Sequence, residues 1–229
     1  MIRPSDKEYQ ETKKIILGKE EMNPDFKPLA NFIDDTFNVK VVNIIYDTIG
    51  TGQPRLNICF EFEHESQRFN MKSKPYTNFD RKKQQMIAEK FTQLTDKEKY
   101  KAKGVFVIYS AFQPVAMIEA TEKISLEKFQ KQLNNKDIWT ISRLFTGVTF
   151  FLYTDEQVKT YESSPIKKVW ADRYFDLLKK YDKFGYFHRE KFDIYLDSKE
   201  NFDNNYNSNW MYYYSCFAFH YNMQEYSML

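Results

Sequence analysis

Val39-Lys40-Val41-Val42-Asn43-Ile44-Ile45-Tyr46 is followed by Ile49-Gly50-Thr51-Gly52-Gln53-Pro54 and then by Arg55-Leu56-Asn57-Ile58-Cys59-Phe60-Glu61-Phe62-Glu63. The first block is β-branched and apolar on both faces, so it predicts a central strand. The second is a glycine and proline turn cluster. In the third, Leu56, Ile58, Phe60 and Phe62 alternate with polar or small neighbours, which predicts a strand with one wet face.

Working toward the N-terminus, Ser5-Asp6-Lys7-Glu8 has the spacing of a capping box and predicts a helix to about Gly18. Asn23-Pro24 opens a second helix, with Pro at the first helical position. Phe26, Leu29, Ala30, Ile33 and Phe37 form its apolar stripe, and Asn38 stops it.

Toward the C-terminus, a third strand is expected near Phe69 and Met71. Asn78 or Asp80 caps a helix with Ile87, Phe91 and Leu94 turned inward. Val105–Phe112 and Val115–Glu119 then read as hairpin strands around Pro114, before a helix capped by Ser125. Ile138–Phe145 and Val148–Tyr153 flank Gly147, and Thr154-Asp155-Glu156-Gln157 is another capping box. Ser163-Ser164-Pro165 starts a helix striped by Ile166, Trp170, Tyr174, Leu177, Leu178 and Tyr181, which Gly185 ends. The Asn-rich piece before Trp210 reads as a loop and residues 211–221 as a strand.

The expected class is therefore α+β: an antiparallel or mixed sheet of about six strands built from hairpins, with helices packed on it. The pattern reads as three strand–strand–helix units within a single domain, 1–229. Its parts are a helical pair at 1–38, a sheet core at 39–162, and a C-terminal helix with an aromatic tail at 163–229.

Composition narrows function mostly by exclusion. The chain holds 21 Phe and 17 Tyr but only 6 Gly. Aromatics supply contact area, whereas phosphate-cradling loops need glycine. No Walker, dinucleotide or nucleophile-elbow pattern is present. The formal net charge is +2, and arginine is scarce beside lysine, which argues against nucleic acid. The 2 Cys residues lie far apart without a Cys/His cluster, so no metal and no cofactor is expected. The first residues form no apolar signal core, and no run suits a membrane span. The expectation is a cytoplasmic protein, and the Lys, Asn, Ile, Phe and Tyr bias points to an AT-rich bacterial coding sequence.

Several constellations resemble chemical sites but have plainer roles. Asp203-Asn-Asn205-Tyr-Asn207-Ser-Asn209 puts oxygens at alternate positions, as a calcium loop does, but lacks the Gly and the closing Glu; an Asx-turn loop is the simpler reading. His188-Arg189-Glu190 lacks the Cys pair that a zinc deaminase needs. Cys216 and His220 meet only on a helix. Lys82, Lys83, Lys90, Lys97, Lys99, Lys101 and Lys103 are interleaved with acids and read as a solvated face.

Two readings lead, and RNA or DNA binding through the lysine stretch, with affinity falling steeply with salt, is a weaker third. In the leading one the chain is a non-enzymatic bacterial protein-binding domain, of the kind in which an immunity protein occludes a basic toxin partner. Its contact residues would be Asp197, Glu200, Asp203, Tyr206, Trp210 and Tyr212. Tyr and Trp bring area at low entropy cost, and acids beside them suit a basic partner. From residue 184 onward the tail has three basic against six acidic side chains. The alternative is a metal-dependent phosphodiester-cleaving enzyme using Asp47, Glu61, Glu63 and Lys72, which requires those carboxylates to converge.

Overall fold

A computed structural model of the chain describes residues 2–50, 52–71 and 74–215, with the side chains of 74–77 outside that description. The fold is α+β, with eight strands in three small sheets among the described residues. Contacts divide the chain into two compact units, Met1–Ala116 and Met117–Leu229.

In the first unit, α1 (Lys7–Ile16) precedes a 3-10 turn (Pro24–Phe26) and α2 (Lys27–Phe37). The hairpin β1 (Val41–Ile49) and β2 (Gln53–Phe60) follows, then α3 (Glu63–Gln67), a small ribbon of β3 (Asn70–Met71) and β4 (Lys74–Phe79), α4 (Arg81–Leu94) and β5 (Phe106–Ala111); α5 (Phe112–Glu122) begins in this unit and ends in the second. β1 pairs antiparallel with β2, and β5 adds to β2 in parallel. Ile44, Leu56, Ile58, Phe60 and Val107 face Leu29, Ile33, Ile87 and Phe91 in one core. By strand alternation the opposite face carries Asn43, Asn57, Cys59 and Ser110. There α1 covers it with Tyr9, 3% exposed, and Thr12, 1% exposed.

In the second unit, α6 (Leu126–Leu133) leads to the hairpin β6 (Ile138–Leu144) and β7 (Gly147–Leu152). Then come α7 (Asp155–Glu162), α8 (Pro165–Tyr181), a 3-10 turn (Arg189–Lys191), β8 (Tyr195–Ser198) and α9 (Lys199–Tyr206), and residues 210–215 are helical. β6 pairs antiparallel with β7, and β8 adds to β7 in parallel. Ile141, Val148, Phe150 and Leu152 pack on Phe129, Trp170, Tyr174 and Leu178.

The two units repeat one frame, and the repeat extends to individual bonds. Each has a helix ended by a left-handed Asn, Asn38 at φ 52° and Asn134 at φ 48°. Each hairpin carries a register shift at its start, between Val41 and Asn43 and between Ile138 and Thr140. Phe60 pairs with Val41 and Ala111 in the first frame, as Leu152 pairs with Ile138 and Ser198 in the second. Two residues past β2, the Phe62 N–H donates to Glu65 at 3.2 Å. Two residues past β7, the Thr154 N–H donates to Gln157 at 3.0 Å. Gln113 N–H donates to the Glu61 carbonyl at 2.9 Å, and Glu200 N–H to the Tyr153 carbonyl at 3.2 Å. The three strand–strand–helix units read from sequence are thus two frames, each a hairpin plus one parallel strand.

Other local expectations change as well. Val115–Glu119 lies in α5, not in a strand. Pro114 stands in the first turn of that helix, where a missing N–H costs nothing. Asp6, not Ser5, is the N-cap residue of α1. Most of the Asn-rich piece is α9, started by Ser198, whose Oγ accepts from Asn201 N–H at 2.7 Å, and stopped by Asn207 in the left-handed region. The tail at 210–215 is helical rather than extended; the rest of the expected strand, with Cys216 and His220, lies outside the described residues.

Candidate functional site

The second frame's outer sheet face is built for aromatics. Phe150 and Phe151 are adjacent on β7, so one ring enters the main core and the other the opposite face. The register shift makes Trp139 the extra residue of β6, and such a bulge re-aims a side chain. Trp139 joins Phe151 at 6.1 Å between ring centroids. Phe202 from α9 and Tyr213 from the 210–215 helix complete a small buried cluster with Phe151. Trp139, Tyr206 and Tyr214 pack around it.

On this platform the 210–215 helix holds Trp210 4.2 Å from the Phe202 ring and 5.7 Å from that of Tyr214. The Tyr213 hydroxyl donates to Asp197 Oδ2 at 2.6 Å. Burial, reinforced by that carboxylate, keeps the Tyr213 phenol protonated far above the ordinary tyrosine range. Tyr214 is hydrogen-bonded through its hydroxyl to Ser142 on β6. Burial raises its pKa too, with Ser142 and then Arg143 working in the other direction. The helix turns Met211, 81% exposed, and Tyr212, 49% exposed, outward, while Trp210, 36% exposed, lies at the edge of the platform with one part packed and one part open.

The six residues expected to meet a partner therefore fall into two groups. Trp210 and Tyr212 are exposed and Tyr206 is half-buried, its ring 5.6 Å from that of Tyr212. Glu200 is exposed, its carboxylate accepting the Asp155 N–H at 3.0 Å. Asp203 is ion-paired with Lys199, which holds its carboxyl below the usual range, and accepts from Ser208 Oγ at 2.6 Å. Asp197 is turned inward, serving Tyr213, the Asn201 amide at 2.8 Å and the Ser198 N–H at 2.7 Å. Met211 carries no signal in the sequence, where residues 211–221 read as a strand and its exposure depends on the helix found at 210–215.

The phosphodiester set does not converge. Asp47 lies opposite Arg55 in the hairpin and is ion-paired with it, and Arg55 also reaches Glu8 at 3.1 Å. Glu61 sits six residues along from Arg55, about 20 Å at strand spacing. Glu63 begins α3, and Lys72 lies outside the described residues. Carboxylates so separated cannot ligate one ion. Among the described residues no group of three or more His, Cys, Asp or Glu could hold a metal. The calcium-loop spacing is likewise spent on α9, where Asn205 donates to Asn201 Oδ1 at 2.7 Å. His188 is exposed and caps the 3-10 turn.

Three of the lysines along α4 and its exit are engaged locally. Lys83 lies over the Phe37 and Phe69 rings at 5.8 and 5.5 Å, Lys90 over Phe32 at 5.1 Å, and Lys99 pairs with Asp25. Their stems cover aromatic surface rather than present a phosphate track.

Two concavities lie elsewhere. A cavity of about 10 Å³ beneath α1 is lined by Thr12, Asn57, Cys59 and Ser110, room for a single water. An open cleft of about 370 Å³ beside α7 is lined by Asp137, Glu156, Tyr161 and Ile166. No helix among the described residues is long and apolar enough to cross a membrane. No family model, curated protein or solved structure matches the chain.

Proposed function

We propose that this is a non-catalytic protein-binding chain that occludes a basic partner, as an immunity protein of a bacterial cytoplasm covers its toxin. One observation carries the reading. Trp210, Met211 and Tyr212 stand exposed on a short helix whose underside is locked into a buried aromatic cluster. Large apolar rings held rigid at a surface lose little entropy on binding, which is the character of an interface hot spot.

Charge favours a basic partner. Residues 193–215 contain four acids and one base. The contact set is Tyr206, Trp210, Met211 and Tyr212, with Glu200 and Asp203 at its rim. Asp197 belongs beneath the surface as a positioning residue. The carboxylates assist encounter more than affinity.

The test compares the wild-type full chain with a Met211→Ala/Tyr212→Ala variant. Both side chains point outward, so the melting temperature should barely move. Proteins captured from the native host are quantified on both baits, and the differential protein is purified and titrated. Loss of about thirtyfold or more in affinity is expected for hot-spot residues. Equal affinity of the two baits for every retained protein would refute the site.

A further inference from the structure

We propose that the 210–215 helix is a hinged cover that opens as a unit about Asn207–Ser208, latched shut by Tyr213 on Asp197. The device is independent of what the outer surface binds.

The repeat shows that the cover is not part of the frame. In the first frame the equivalent sheet face lies beneath α1, which precedes its hairpin. In the second, that face lies beneath a helix that follows the last strand. The main core of the second unit closes without residues 207–215, and the cover joins a separate small cluster with Phe151 and Phe202.

The hinge is built into the backbone. Asn207 and Ser208 have φ of 52° and 53° in succession. Asn tolerates that region as a helix stop, but a consecutive left-handed Ser is strained and relaxes once the chain beyond it is free. The latch is polar and aimed. Tyr213, 2% exposed, sends its hydroxyl to a carboxylate that Asn201 and the Ser198 N–H already orient. Tyr214 adds a second tie to Ser142. Closed, the cover buries Phe151 and Phe202 at 0% and 2% exposure; open, it uncovers an aromatic groove on the sheet. Short elements with little buried surface open well below the global unfolding free energy.

Hydrogen exchange on the full chain, wild type and Tyr213→Phe, tests this. In the wild type the amides of 213–215 should exchange faster than those of Phe150–Leu152 in β7. Removing the phenol hydroxyl costs a bond to a charged group, so exchange at 213–215 should rise about tenfold or more while β7 stays unchanged. Met211→Ala, which touches the outer surface alone, should leave both rates alone. Joint acceleration of 213–215 and β7, unchanged rates in Tyr213→Phe, or global unfolding of that variant would each overturn the hinge. None of these results depends on a partner, so they fail or succeed separately from the binding experiment.

Discussion

Glu65 and Gln157 occupy the same place in the two frames and do unequal amounts of work, so substituting each measures what the frame requires. Glu65 is 8% exposed. One carboxylate oxygen accepts the Lys40 N–H at 2.7 Å and the other the Phe62 N–H at 3.2 Å. It therefore ties the residue before β1 to the chain leaving β2. Glu65→Ala strands two backbone donors beside a half-buried strand end. At about 1.5–3 kcal/mol for each bond to a charged acceptor, with water recovering part, the cost is about 3–4 kcal/mol. Glu65→Gln keeps one acceptor and turns an NH2 toward the other donor, for about 2 kcal/mol. Gln157 also accepts two N–H groups, from Tyr153 and Thr154, each at 3.0 Å, but at an exposed helix start where water can replace it. Gln157→Ala should cost about 1 kcal/mol or less. Native-state hydrogen exchange reads each unit by itself: Leu56–Phe60 amides should speed up by about 150-fold or more in Glu65→Ala, and β7 amides less than tenfold in Gln157→Ala. Equal small effects at both positions would show that the Lys40 tie contributes nothing and that the two frames rest on their ladders alone.

Phe145 is 46% exposed at the tip of β6–β7 and sits at φ 52°, a conformation that suits glycine. Phe145→Gly should raise stability by about 0.5–1 kcal/mol, seen as a slightly higher melting temperature, because the relieved strain outweighs the added chain entropy; a loss instead would mean that the ring packs productively. Burial pushes the Cys59 thiol up from its ordinary value to about 11. Its neutral form is favoured by folding, so that stability is intact below pH 9 and lost as pH climbs toward 11. Relative to Cys59→Ala, both in a Cys216→Ser background, the wild-type thiol should lose roughly 2–3 kcal/mol over that range in urea titrations. Parallel pH curves for the two would refute the assignment.

Much of the frame was legible because the signals are local. β2 follows from alternation and β1 from its β-branched run, although β1 is an edge strand and β2 the central one, because β5 adds to β2; Asn38, Asp80, Ser125, Thr154 and Ser164 announce helix ends through side-chain chemistry. What escaped is nonlocal or ambiguous. Nothing near Phe106 or Tyr195 in the chain says that it will lie parallel to an earlier strand. Pro114 is compatible with a bend or with a first helical turn, and the surrounding residues do not decide. In the tail, Phe202, Tyr206, Trp210 and Tyr213 recur at steps of four, four and three, a helical period. The Asn-rich composition masked it, since Asn favours turns as readily as helix ends.

The repeat of the frame was hidden for a deeper reason. What the frames share is carried by backbone bonds: a ladder, a bulge, a left-handed stop, and a carbonyl that accepts the helix start two residues after the last strand. None of these dictates a side chain. At matched ladder positions Cys59 stands where Phe151 does, Ser110 where Asp197 does, and Ile45 where Ser142 does. All three pairs lie on the outer face, and each choice suits the helix that covers it. Asn43 donates to Thr12 of α1 at 3.1 Å, whereas Asp197 accepts from Tyr213 and Ser142 shares a hydrogen bond with Tyr214. The inner face is apolar in both frames, while the outer face differs with its cover. A shared scaffold with two unlike covers places the individuality of each half in the cover, and the second cover is the one that turns Trp210, Met211 and Tyr212 outward.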